Sequence, residues 1–306
     1  MTRFVGTLLL LLFGLLSPVH ASDGGRDNLL ILLPKLSAAY DRIFAEILTG
    51  ITAHDGVTAH TYTLTNASQK EDIQKEIDAK QIDAVIALGH TSYNIAKKFH
   101  NQLPVIHGGM IMTPNGHSGI SLVGSPVQFF AHLKNIAPNV KRIFTVYNEK
   151  NSGWLIRIAE QEALKLNIEL QALEASDIRG AARQFKTILS EAGDATDAIW
   201  LLFDKVVPHQ TILPLALDAA WKKNIVLFSN NPAHTKRGAL FSLFPDHEKM
   251  GYSLAELSIQ QINSNTPLVL PLSNLKVSVN ERTASHLGLH YSSGQRASFD
   301  IIYPLR

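Results

Sequence analysis

The residue types best suited to chemistry fall in four short polar runs. They are Gly89, Thr91 and Ser92 in GHTS, Asn148 and Ser152 in NEKNSG, Asp204 opening DKVV, and Asn230 in SNNP. Glycine lets a ligand approach the backbone. A helix opening there offers free N–H groups that favour an anion, and Thr91 and Ser92 add hydroxyl donors, so a ligand carboxylate suits GHTS. The same two hydroxyls would equally suit a helix cap. Asp204 can pair with a ligand ammonium, or serve as an N-cap or a partner of Lys205. Asn148, Asn151 and Ser152 can hydrogen-bond a ligand or cap the helix opening near Trp154. Asn230-Asn231-Pro232 carries turn chemistry, so one asparagine can be purely structural. Tyr40, Phe203 and Phe244 can stack on an aromatic ligand, or pack as core.

These runs are binding chemistry and not a catalytic constellation. G-x-S-x-G, Walker A, G-x-G-x-x-G and HExxH are all absent. Ser273 to Lys276 matches S-x-x-K without its companion motifs. The 13 histidines are scattered, and His286 and His290, four apart, have Gly288 between them. An enzyme is not supported, and no metal site or cofactor is expected.

The elements that must position these residues alternate. Leu29–Leu33 is apolar without alternation, as a strand covered on both faces is. Helix and strand patterns follow through Ala38–Leu48, Val57–Leu64, a helix with Ser68 and Glu71 spaced as a capping box, Ala84–Leu88, a helix to about Phe99, and Leu103–Ile106. Ser118–Gly153 is where the chain leaves one α/β lobe and begins another. A strand at Ile120–Val123 is broken by Gly124-Ser125-Pro126. A helix then presents Phe129, Phe130, Leu133 and Ile136 on one face, and a strand runs from Arg142 to Tyr147. Alternation resumes with strands at Ile168–Leu173, Ala198–Phe203, Ile225–Phe228, Ala239–Leu243 and Val277–Val279, and helices between and after them. Two rounds of alternation predict two parallel sheets with helices on both faces. In such sheets ligands bind beyond the carboxyl ends of the strands, where all four polar runs fall. Two facing lobes place them along one cleft.

The chain of 306 residues is long enough for two domains. Arg3, the apolar run Leu8–Leu16 and Val19-His20-Ala21 read as a secretory signal peptide over residues 1–21, cleaved after Ala21. An uncleaved anchor is the alternative, but the run falls short of the roughly 20 apolar residues a span needs. Removing 1–21 takes away one positive charge and leaves 27 Lys+Arg against 26 Asp+Glu. That balance implies neither nucleic acid nor anionic lipid as a partner. With no cysteine, disulfides, thiol nucleophiles and a thioether-linked lipid anchor are excluded. A soluble, exported, periplasmic protein is expected.

The ordered series SGISLVGSPVQFFAHLKNIAPNVKRIFTVYNEKNS, DAIWLLFDKVV, KRGALFSLFPDHEKMGYSLAEL and VNERTASHLGL resembles the ABC-transporter substrate-binding family of type 1 periplasmic binding proteins, some of which bind aromatic amino acids. The resemblance covers the chain from about Leu29 onward. It implies two Rossmann-like lobes joined by three crossings, here 28–123 plus 245–272 and 124–244 plus 273–306. It also implies a small molecule in the cleft, delivered to an ABC permease in the inner membrane. By position, Gly89, Thr91 and Ser92 match the segment holding a ligand carboxylate. Asn148 and Ser152 match the loop after the first strand of the second lobe, Asp204 the cleft aspartate, and Asn230 the next loop. The chain departs from the family in its first loop, Pro34 to Ser37, in His90 beside Gly89, and in GGMIMTPNGH. The alternative function is a ligand-sensing or assembly module acting on a membrane sensor or outer-membrane partner.

Overall fold

The computed structural model describes residues 25–305, apart from 36–37, 66–69 and 265. The expected signal peptide, the capping box at Ser68 and part of the first loop lie outside the described residues.

The first passage runs β1 (Asp27–Leu33), α1 (Ala38–Thr52), β2 (Val57–Thr63), α2 (Lys70–Ala79), β3 (Ala84–Leu88), α3 (Gly89–Ala96), β4 (Val105–Gly108) and β5 (Ser118–Gly124). The second runs α4 (Pro126–Ile136), β6 (Arg142–Tyr147), α5 (Glu149–Lys165), β7 (Glu169–Glu174), α6 (Ile178–Glu191), β8 (Asp197–Leu201), α7 (His209–Lys223), β9 (Val226–Ser229), α8 (Pro232–Arg237) and β10 (Phe241–Pro245). The chain then returns through α9 (His247–Ile262) and β11 (Val269–Leu272). It ends with β12 (Leu275–Asn280), α10 (Glu281–His286), α11 (Ser293–Ala297) and β13 (Ile301–Tyr303). Two sheets result, in the orders β11-β5-β4-β3-β1-β2 and β13-β12-β10-β9-β8-β6-β7.

The unbroken apolar run of β1 works as its pattern predicts. Leu29 and Ile31 join the core on one face of the first sheet, and Leu30 and Leu32 the core on the other. Phe144 and Val146 of β6 likewise face one core of the second sheet while Ile143 faces the other.

On one face of the first sheet α1 and α9 pack backbone to backbone. A Cβ on Gly50 would lie 1.8 Å from the Glu248 carbonyl oxygen, and one on Gly251 2.0 Å from that of Ile47. Glycine at both positions is what allows this approach.

The chain passes between the sheets three times, after β5, after β10 and after β11. These crossings are tied together. The Ser125 N–H donates to the Leu272 carbonyl at 2.8 Å, and the Asp246 N–H to that of Asn274 at 3.0 Å. The Asn274 amide donates to Ser253 Oγ at 2.7 Å. The crossings also set strand direction. β5 and β11 both end there and pair parallel, Leu272 against Gly124. β10 ends there but β12 begins there, so that pair is antiparallel, Pro245 against Leu275. The second sheet is therefore mixed, where alternation alone predicts a parallel one. Sequence reading also passes over α8, α11 and the edge strands β11 and β13, and places β10 two residues early.

Candidate ligand cleft

A cavity of about 310 Å³ opens between the two sheets. One wall is His90 and Tyr93 of α3 with Met110 to Thr113 and Asn115 beyond β4. The other is Lys150, Asn151 and Ser152 of α5 with Phe203, Asp204 and Lys205 beyond β8, and Val123 of β5 lies near a crossing. All these segments except β5 follow the carboxyl end of a parallel strand. The unusual run GGMIMTPNGH supplies much of the first wall.

Asp204 organises the second wall. Its carboxylate is 5% exposed and accepts four hydrogen bonds. Oδ2 accepts from the Asn148 N–H at 3.0 Å and from Ser152 Oγ at 2.6 Å. Oδ1 accepts from Asn151 Nδ2 and from the Val206 N–H, each at 3.0 Å. A carboxylate has about four lone-pair positions, and these donors occupy them. A negative charge at the first turn of α5 also complements the helix dipole. Asn148 sits at the N-cap of α5, but its own side chain does not cap. Its amide donates instead to the Ala175 carbonyl at 2.9 Å. The sequence thus brings Asn148, Ser152 and Asp204 together, with Asn151 as a fourth member. For Asp204 to take a ligand ammonium as well, one of these donors must give way.

On the opposite wall Gly89 begins α3 at φ +77°, the left-handed region that favours glycine. The helix has no side-chain cap, so the alternative role of Thr91 and Ser92 as caps is not realised. Thr91 is exposed. Ser92 is fully buried, and its hydroxyl has no hydrogen-bond partner among the described residues. Gly89, Thr91 and Ser92 flank His90 and Tyr93 without lining the cavity themselves. Asn230 is half-buried after β9, also outside the cavity lining. Its neighbour Asn231 is the structural one of the pair, accepting from the Ala233 N–H at 2.9 Å to cap α8.

Residues outside the four polar runs complete the site. Phe203 is 46% exposed and Ile111 39%, so apolar surface faces the cavity, a normal feature of small-molecule sites. Tyr40, also a stacking candidate, is exposed elsewhere and is not in the lining. The Tyr93 hydroxyl accepts from Asn115 Nδ2 at 3.2 Å. Behind Tyr93, His107 packs at 4.5 Å between ring centroids, fully buried, with neither ring nitrogen hydrogen-bonded. Burial, and secondarily the nearby His117, push its pKa down to about 3, so the ring is neutral. Position would have flagged Lys150 and Lys205, since both neighbour residues that the sequence does single out. Among the described residues, no group of three or more His, Asp or Glu is placed to hold a metal, and no helix is long and apolar enough to cross a membrane.

The chain is similar to several known proteins. The "Tyrosine-binding protein" of Clostridioides difficile strain R20291 is 21% identical over 246 residues, covering 75% of this chain and 70% of its own. Two solved structures share the fold. One is the ligand-free, open structure of a Clostridium difficile substrate-binding protein with adhesive properties. It is 17% identical, with a TM-score of 0.56 over 90% of this chain and 99% of its own. The other is an ABC domain from Streptococcus pneumoniae in complex with L-Trp. It is 18% identical, with a TM-score of 0.51 over 91% of this chain and all of its own. The model of the family described as "ABC transporter substrate binding protein" matches residues 48–294. Spanning most of the chain, that match shows that the protein belongs to the ABC transporter substrate binding protein family.

Proposed function

We propose that the protein is a periplasmic solute-binding protein that closes on a small polar molecule, amino-acid-like or related, and delivers it to an ABC importer. The observation that carries this reading is the cavity itself. It draws polar and apolar residues from the strand ends of two sheets that, among the described residues, three short crossings connect, the geometry of hinge closure around a ligand. The lobes are 28–123 with 245–272 and 124–244 with 273–306. Residues 1–21 act as a cleaved export signal. Gly89, Thr91 and Ser92 hold a ligand carboxylate once the lobes close. Asn148, Ser152 and Asp204 shape the facing wall, and Asn230 reaches the ligand on closure. The relatives named for tyrosine and solved with L-Trp support an aromatic side chain stacked near Phe203.

Thermal unfolding with a panel of amino acids, amides and small carboxylic acids tests the binding. A true ligand at a hundredfold excess over its Kd stabilises the protein by about 2.7 kcal/mol. A panel without a single shift would remove the support for transport.

A further inference from the structure

We propose that this cleft selects a carboxylic acid that lacks an α-ammonium group over the amino acid bearing the same side chain. The inference rests on the ligand-cleft reading above and narrows its substrate class. An amino acid presents an anion and a cation a few ångströms apart, so a site for it needs an acceptor with free capacity beside its donors. Among the described residues, Asp204 is the single acidic one in the cavity lining. Both its oxygens already accept two protein donors at 2.6–3.0 Å. Glu149, next along α5, is taken by Arg157 Nη1 at 2.7 Å. The amide oxygens of the lining, Asn151 Oδ1 and Asn115 Oδ1 (which accepts from the His117 N–H at 3.3 Å), are neutral and offer an ammonium no counter-charge.

The free charge of the cleft has the other sign. Lys150 and Lys205 both line it, both are exposed, and neither forms an ion pair with a described acid. The uncapped start of α3 adds backbone N–H donors without adding a charged acceptor. An ammonium here meets two like charges and displaces an existing hydrogen bond. A carboxylate meets two unpaired cations. The exposed ring of Phe203 favours an aromatic or other apolar body on that acid.

The test is isothermal titration of the purified protein with matched pairs: 3-(4-hydroxyphenyl)propanoate against L-tyrosine, and indole-3-propanoate against L-tryptophan. L-Phenylalaninamide serves as the cation without the carboxylate. The acid is expected to bind at least tenfold more tightly than its amino acid, about 1.4 kcal/mol, and the amide not at all. The affinity should fall with added salt, and Lys150→Ala with Lys205→Ala should lower it at least tenfold. An amino acid binding as tightly as its matched acid overturns the inference while leaving the cleft intact as a binding site. Acid affinity unmoved by the double substitution also overturns it. Failure of every acid and every amino acid to bind overturns the cleft reading, and this inference with it.

Discussion

Replacing Asp204 by alanine tests whether this carboxylate holds the cleft together or waits for a ligand. The substitution leaves four donors without their acceptor. Two of them have little access to water, since Ser152 is 2% exposed and Val206 9%. The Asn148 N–H and the Asn151 amide belong to half-buried residues that solvent can reach. Each stranded buried donor costs about 1–3 kcal/mol, so Asp204→Ala should destabilise the ligand-free protein by about 3 kcal/mol. Urea unfolding followed by tryptophan fluorescence reads this locally. All three tryptophans, Trp154, Trp200 and Trp221, lie on α5, β8 and α7, which pack on the second sheet. With a urea slope of roughly 1–3 kcal/mol per molar, the midpoint should fall by at least about 1 M. A midpoint within about 0.2 M of the parent's would show that the four hydrogen bonds contribute little. The acceptor positions of Asp204 would then be open to a ligand ammonium.

Two further predictions address the scaffold. Gly251→Ala places a Cβ 2.0 Å from the Ile47 carbonyl oxygen. Backbone cannot rotate away as a side chain can, so overpacking should outweigh the roughly 1 kcal/mol helix gain of alanine and cost about 2 kcal/mol net. A rise in thermal midpoint would show that α1 and α9 separate freely. His107 makes stability depend on pH. Its folded pKa, about 3, lies below the ordinary value near 6.5, so only the unfolded chain takes up the proton between those values. The contribution is therefore complete above about pH 6.5 and shrinks as pH falls toward 3. At pH 5 about 2 kcal/mol should be lost relative to pH 7 through His107 alone. His234, pushed down to about 4 mainly by burial, adds to the same acid limb. The gap between urea midpoints at the two pH values should narrow in His107→Phe, leaving the part that His234 contributes, and an unchanged gap would mean that the ring titrates normally in the fold.

The fold was legible in the sequence wherever burial alone decides the pattern. LLILL, RIFTVY and AIWLLF carry apolar residues on both faces because both faces meet helices, and each is a strand. The edge strands β11 and β13 were not legible. VLPL and IIY are short and largely half-buried, and each is defined by its pairing with β5 or β12. An edge position is also what lets Pro271 sit in a strand. Asn230-Asn231-Pro232 carries turn chemistry, yet the Asn231 side chain and Pro232 at the first position start the helix PAHTKR. In the site, the position of Asp204 was legible as the residue following a buried strand. Its saturation was not, because Asn148, Asn151 and Ser152 stand more than 50 residues away in sequence. The loop positions of Lys150 and Lys205 were legible too, but their meeting in one cleft was not, because only the fold brings the two loops together.

Two buried acids, Asp246 at a crossing and Asp204 in the cleft, share a use that bears on the charge of the cleft. Asp246, 7% exposed, caps α9 by accepting from the Lys249 N–H at 3.2 Å, with the ammonium groups of Lys249 and Lys276 at 3.5 and 3.9 Å. Asp204 does for the start of α5 what Asp246 does for the start of α9. In both, a buried carboxylate fixes a helix terminus. Satisfying such a terminus uses up the acceptor positions of the acid, and the lysines that remain in the cavity then determine its sign. A formal net charge of +2 spread over 306 residues does not reveal this, since which acids remain free depends on which helix ends they cap.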